Sequence, residues 1–152
     1  STPHQSSAAS DVYKRQYSPI LFQVPKQSYA KDFNNPEIEF RRMVDAFHQA
    51  GIEVWLDVVF NHTAELDDSG PVEHFKLLGR EDWYLLSKDG EFLNFSGCGN
   101  TFKCAGPGAR RMIRDSLVYW AQNLGVDGFR FDLASILERD PNGNFHQGSE
   151  LL

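Results

Sequence analysis

Residues Gly125 to Ser135 read "GVDGFRFDLAS", a run with the alternation of a β-strand and two charges inside it. Phe129, Phe131 and Leu133 fall on every second position, and Arg130 and Asp132 sit between them. A charge inside a buried strand is costly unless it is paired. Successive side chains of a strand point to opposite faces. Val126, Gly128, Arg130 and Asp132 therefore share one side, and the three apolar residues share the other, which suits packing against helices. Arg130, two residues before Asp132 on the same face, is positioned to donate hydrogen bonds to its carboxylate, which would keep it ionised and oriented. An ionised, fixed carboxylate in a cleft is what a glycosidase nucleophile requires. A structural ion pair is the alternative for the same two residues.

Upstream, "ARRMIRDSLVYWAQNLG" (109–125) has helical spacing, with Ile113, Leu117, Trp120, Ala121 and Leu124 on one face and Gly125 as its stop. The same order occurs earlier. "NNPEIEFRRMVDAFHQAG" (34–51) is expected as a helix capped by Asn35, with Pro36 in the first position and Gly51 at the end. Its apolar face is Phe40, Met43, Val44 and Phe47. "IEVWLDVVF" follows at once, an apolar, β-branched strand from about Glu53 to Phe60. A helix, a glycine and a nearly continuous apolar strand, used twice, predict an α/β fold with a buried parallel sheet. In the first strand, Val54, Leu56, Val58 and Phe60 form the helix side; Trp55, Asp57, Val59 and Asn61 form the other. Both strands thus gather polar groups at their C-terminal ends: Asp57, Asn61 and His62 in one, Arg130 and Asp132 in the other. In parallel α/β folds, and above all in the (β/α)8 barrel, that end holds the active site. Taken singly, Asp57 reads as a buried hydrogen-bonding residue and His62 as an ordinary loop histidine; the constellation is more specific than its members.

Between the two units lies a long irregular connection, residues 61–107, and long connections inside compact folds are usually functional. "YLLSKDGEFLNF" within it reads as a hairpin turning at Asp89-Gly90. Trp83, Tyr84 and Phe92 there could stack on sugars or pack the hairpin. Bulk composition narrows the class. The chain has 152 residues, 41% hydrophobic, with 21 Asp plus Glu against 15 Lys plus Arg, a net charge of -6. An acidic balance without a basic run argues against nucleic acid and against a membrane surface. No apolar run approaches the ~18 residues of a membrane span, and the N-terminus lacks the apolar core of a signal peptide. Cys98 and Cys104 fit no zinc pattern and are expected as unpaired thiols in a reducing compartment. Residues 1–16, "STPHQSSAASDVYKRQ", are small and polar without periodicity, and "DVYKRQ" has the look of a sequencing-library junction. A non-native or disordered leader over 1–16 is expected, with native sequence from near Tyr17.

"DVVFNH" (Asp57 to His62) and "GFRFDLA" (Gly128 to Ala134) resemble the third- and fourth-strand motifs of the α-amylase superfamily of glycoside hydrolases. "YSPILFQVPKQSYA", "NFSGCGNTFKCAGPGARRMI" and "DSLVYWAQNLGVDGFRFDLASILERDPNG" resemble its isoamylase and glycogen debranching branch. The resemblance implies a partial (β/α)8 barrel, from the end of strand 2 through strand 4, with 61–107 as the loop after strand 3. It implies that Asp132 is the catalytic nucleophile, that Arg130 orients it, that His62 contacts the sugar, and that Asp57 and Asn61 support the site. Tyr17 matches a tyrosine that stacks on that sugar, although the glycine the family has before it is Gln16 here. The family's general acid, a glutamate after the fifth strand, has no counterpart, since Glu138 and Glu150 lie past the fourth strand. The expected function is an α-glucan debranching hydrolase acting on α-1,6 branches of glycogen- or starch-like polymers, inactive as this chain alone. An α-1,4-acting or trehalose-releasing relative and a non-catalytic α-glucan-binding remnant are the alternatives. No organic cofactor is implied; calcium occurs in relatives, and no metal is assigned. A cytoplasmic location is expected.

Overall fold

The computed structural model describes residues 18–148, so Tyr17 lies outside the described residues. A 3-10 turn (Gln27–Tyr29) precedes helix α1 (Pro36–Gln49), strand β1 (Trp55–Val58) and helix α2 (Phe75–Trp83). Helix α3 (Pro107–Val118) runs into a π-helical turn (Tyr119–Asn123), followed by β2 (Gly128–Phe131) and the short α4 (Ala134–Leu137). The two strands pair in parallel, with Trp55 opposite Gly128, Leu56 opposite Phe129, Asp57 opposite Arg130 and Val58 opposite Phe131. The expected helix–strand alternation is what the chain forms, with the first strand shorter than the span from Glu53 to Phe60.

Local chemistry explains most boundaries. Pro36 takes the first position of α1, where a missing N–H costs nothing. Asn35 precedes it but does not cap with its side chain, contrary to expectation; its Nδ2 donates instead to Asp32 Oδ2 at 2.7 Å. Glu39, in the first turn, reaches back and accepts from the amides of Lys31 and Asp32, each at 2.7 Å. At the other end, the amides of Gly51 and Ile52 donate to the carbonyls of His48 and Phe47. Phe40 and Val44 are buried and Met43 packs against them, whereas Phe47 is largely exposed. Asp127, just before β2, ties the second unit to the first. Its Oδ2 accepts from the amide of Val54 at 2.7 Å and meets His48 Nε2 at 2.8 Å.

Helix α3 departs from a continuous α-helix at Tyr119. The amide of Leu124 donates to the carbonyl of Tyr119, and Val126 to Trp120, so one extra residue is accommodated in the turn. This turn carries Trp120, which is fully buried with its Nε1 on the carbonyl of Phe22 at 2.8 Å. Ser116 Oγ donates to the same carbonyl at 2.6 Å. The β-strand faces follow the alternation: Leu56 and Val58 are buried and Trp55 is 62% exposed. Gly128 is required beneath that indole, because a Cβ there would sit 2.7 Å from Trp55 Cδ2.

The sequence did not signal α2. Gly79 stands inside it at φ 131°, ψ 94°, a kink that breaks the helical periodicity, and Leu77 and Leu78 point outward. The hairpin forms where expected: Leu86 pairs antiparallel with Phe92, and the amide of Gly90 donates to the Ser87 carbonyl. Its aromatic residues join one cluster, in which Phe22, Phe60, Phe75, Tyr84 and Phe102 lie with ring centroids 5.1 to 5.9 Å apart for the contacting pairs. Tyr84 is 1% exposed, which removes it as a sugar-stacking platform. Both cysteines are thiols, Cys104 buried and Cys98 half-buried, and burial pushes the Cys104 thiol up to about 12. Among the described residues no helix is long and apolar enough to cross a membrane.

Replacing Trp120 removes the largest buried side chain and its hydrogen bond. Trp120→Ala is expected to cost about 3–5 kcal/mol of unfolding free energy, read as a shift in the urea midpoint. Val118→Ala, at an exposed position of the same helix, should shift it by about 0.5 kcal/mol or less.

Candidate active site

The last rung of the parallel pairing is the amide of Asp132 donating to the carbonyl of Val58 at 3.0 Å. Beyond it the two chains diverge. The β1 segment continues inward through Val59, Phe60, Asn61, His62 and Thr63, all buried. The β2 segment turns away at Leu133, a left-handed residue at φ 46°, ψ 51°. A branched side chain in that region is strained, and such residues persist where the surroundings impose them. The turn leaves the Asp132 side chain facing the end of the other strand.

Asn61 receives it. Its Nδ2 donates both to the carbonyl of Asp132 at 2.8 Å and to Asp132 Oδ2 at 3.1 Å. With the amide nitrogen so placed, Asn61 Oδ1 faces His62 Nδ1 at 2.5 Å. An amide oxygen can only accept, so Nδ1 carries a proton and donates it to Asn61. Asp132, Asn61 and His62 thus form one hydrogen-bonded line across the ends of both strands.

The partner of Arg130 differs from the expectation. Its Nη1 donates to Asp57 Oδ1 at 3.0 Å, not to Asp132. The register is the reason: Asp57 lies directly opposite Arg130, whereas Asp132 is past the end of β2. The Arg130 side chain is 65% exposed and that of Asp57 18%, so the pair is partly solvated and contributes little to stability. Arg130 therefore braces the strand pair two residues before Asp132.

A second polar group was not signalled by the sequence reading. Glu65 is 1% exposed and lies two residues after the "NHT" run. Its Oε1 accepts from the amides of Glu73 and His74 at 2.8 and 3.1 Å, and its Oε2 from that of Phe75 at 3.1 Å. The amide of Lys76 reaches both oxygens at 3.3 Å. The amides of Phe75 and Lys76 are the first, unpaired N–H groups of α2, those of Glu73 and His74 lead into it, and His74 makes no side-chain cap. Tyr84 Oη donates to Oε2 at 2.5 Å and lies 2.7 Å from Thr63 Oγ1. Lys76 Nζ in turn donates to the carbonyls of Glu65 and Gly70, at 2.6 and 3.3 Å, and to that of Asp67. The loop is wound so closely that a Cβ on Gly70 would stand 2.1 Å from the Glu65 carbonyl oxygen. Burial alone raises the Glu65 carboxyl, but the Tyr84 hydroxyl and the amides of Glu73, His74 and Lys76 outweigh it and hold the group below its ordinary range. Burial, and then the Glu65 carboxylate, push the Tyr84 hydroxyl far up. A sequence signal existed: "PVEHF" opens a helix with no Ser, Thr, Asp or Asn at its cap, and the missing acceptor is supplied from Glu65. Among the described residues, no group of three or more His, Cys, Asp or Glu side chains could hold a metal ion.

Comparison with known proteins identifies the class. The chain belongs to the α-amylase superfamily of glycoside hydrolases. Within it, the similarity is to isoamylases, glycogen debranching enzymes and pullulanases. It is 47% identical over 133 residues to isoamylase 3, chloroplastic, of Oryza sativa subsp. japonica, covering 84% of this chain and 17% of the relative. It is 41% identical over 136 residues to the glycogen debranching enzyme of Enterobacter sp. (strain 638), covering 90% of this chain and 20% of the relative. Among solved structures, the pullulanase of Paenibacillus barengoltzii in complex with maltohexaose and alpha-cyclodextrin matches with a TM-score of 0.73 and 32% identity, over 81% of this chain and 19% of that one. The chain thus spans a fifth or less of the length of these relatives. No family model matches it.

The Glu65 carboxyl makes stability depend on acid. Its folded value lies below the ordinary 4.5, so its contribution is complete above that pH and is lost as pH falls through the folded value. Unfolding free energy measured between about pH 3 and pH 7 should therefore fall on the acid side, and Glu65→Gln should flatten that fall. An unchanged acid limb in the variant would contradict the assignment.

Proposed function

We propose that this chain supplies the nucleophile side of the active site of an α-glucan debranching hydrolase. The observation that carries this reading is the hydrogen-bonded line Asp132–Asn61–His62 at the ends of two parallel strands, in a chain 47% identical to an isoamylase. In this reading β1 and β2 are the third and fourth strands of a (β/α)8 barrel, and residues 61–107 are the loop after the third. The parallel pairing, the helix before each strand and the likeness to a pullulanase support it.

The reaction is hydrolysis of α-1,6 branch linkages with retention of configuration. Asp132 forms a bond to the anomeric carbon as the bond to the branch oxygen breaks, and that oxygen takes a proton from a general acid. Water then displaces Asp132 and returns its proton to the same group. Asn61 fixes the Asp132 carboxylate, His62 contacts the sugar bound there, and Arg130 acts through Asp57 to hold the strand ends in register. The general acid belongs outside residues 18–148. Asp57 is engaged by Arg130 and Glu65 by the start of α2, so neither carboxyl is available to donate to a leaving group. The 152-residue chain alone is then inactive. The substrate class is a branched α-glucan, in keeping with relatives named for glycogen debranching and a pullulanase bound to maltohexaose. A cytoplasmic location suits two cysteines held as thiols.

In the full-length protein, Asp132→Asn should abolish reducing-end release from pullulan and accumulation of a glycosyl–enzyme. His62→Ala should lower kcat/KM by about 10- to 100-fold, because it removes binding and not the nucleophile. Near-normal rates for Asp132→Asn would overturn the assignment, and release from a linear α-1,4-glucan but from neither pullulan nor a branched glucan would overturn the linkage.

A further inference from the structure

We propose that Glu65, through Tyr84 and Thr63, is a positioning residue that fixes the backbone carrying His62 and, through Asn61, the Asp132 carboxylate. The proposal rests on the reading of Asp132 as nucleophile and extends it to residues that nothing else assigns to the site. Hydrogen-bond direction is determined along the whole path. The Glu65 carboxylate can only accept, so Tyr84 Oη donates to it at 2.5 Å. With its single proton spent, the Tyr84 oxygen accepts, and Thr63 Oγ1 donates to it at 2.7 Å. Thr63 Oγ1 then accepts from the amide of Glu65 at 3.3 Å.

Thr63 is the neighbour of His62, and its backbone is held on both sides by one side chain. Its amide donates to Asn100 Oδ1 at 3.0 Å, and Asn100 Nδ2 donates to its carbonyl at 3.1 Å. On the other side of His62, the carbonyl of Asn61 accepts from the amide of Phe102 at 2.9 Å. The two peptides flanking His62 are therefore pinned by a network of residues that are 0 to 2% exposed: Asn61, His62, Thr63, Glu65 and Asn100. A buried charge is weak evidence for stability, because apolar replacements of such groups are often neutral. What a satisfied buried network provides is a single geometry. Fixed geometry at the reacting groups is worth much in rate, since a displacement of about 1 Å can cost on the order of a hundredfold.

Glu65 has two jobs that can be separated. It accepts the first amides of α2, and it anchors the path to Thr63. Tyr84→Phe and Thr63→Val cut only the second, since the four amides remain on Glu65. In the full-length protein each variant should lower the rate of glycosyl–enzyme formation in single turnover by about 10- to 100-fold. The double variant should lose no more than either single one, because one path is being cut twice. Thr63→Ser, which keeps the hydroxyl, should retain the rate. Val44→Ala, a buried change in α1 away from the path, serves as a control for loss of stability alone and should leave the single-turnover rate unchanged. Rates within twofold of the parent for both Tyr84→Phe and Thr63→Val, while Asp132→Asn is inactive, would overturn the positioning role and leave the nucleophile intact. Full activity of Asp132→Asn would instead sink the reading beneath it. Equal losses in Thr63→Ser and Thr63→Val would assign the effect to packing and also overturn the proposal.

Discussion

The bond from the amide of Asp132 to the carbonyl of Val58 fixes everything at the candidate site. It is the final rung of a parallel ladder only four residues long on each side. Parallel pairing sets which side chains stand opposite one another, so it places Arg130 on Asp57 and leaves Asp132 beyond the ladder. It also sets how far the β1 segment runs past the end of β2. Asn61, three residues after Val58, then has one amide nitrogen within reach of two Asp132 oxygens. A slip of one residue would turn each side chain to the opposite face and exchange Asp57 for an apolar neighbour. Asp127 guards against that slip by holding the amide of Val54 and the imidazole of His48 at the start of both strands.

The connection after β1 has little regular structure yet is well buried around its polar groups. Backbone groups taken from water must find partners, and here side chains supply them. Asn100 serves Thr63 and Leu66, Lys76 serves three carbonyls, and Glu65 serves the start of a helix that lacks its own cap. The aromatic cluster of Phe22, Phe60, Phe75 and Phe102 closes one side of this region and keeps water from competing for those bonds. Low dielectric strengthens each bond and makes each missing partner costly, so the region is ordered as a unit.

Alternation made the parallel pair and its faces legible in the sequence. Leu56, Val58 and Phe60 pack as their spacing requires, and Trp55 and Asp57 lie on the other side. The gathering of Asp57, Asn61, His62 and Asp132 at strand ends followed from the same periodicity. What periodicity could not provide was pairing between strands. Spacing along one strand suggested Arg130 with Asp132; the register between two strands placed Arg130 on Asp57. The π-helical turn at Tyr119 was hidden for a similar reason, because it depends on Trp120 reaching the carbonyl of Phe22, nearly a hundred residues away in sequence. Helix α2 and Glu65 were hidden together. A kink at Gly79 breaks the pattern of the helix, and its cap comes from a residue ten positions before Phe75.

The two faces of the strand pair are in unequal states. On the helix side Leu56 and Val58 are at most 3% exposed, and α1 and α3 complete the cover. On the other side Trp55 is 62% exposed and the Arg130 side chain 65%. The open face is the one that carries the candidate site. A glycosidase nucleophile works in a site from which bulk water is excluded, where charge interactions are stronger. Residues 18–148 hold the Asp132 carboxylate in place and build the wall behind it, but they do not shield it. Under the proposed barrel, further strands would cover that face. Positioning and shielding are thus separable properties of this fold, and the chain carries the first.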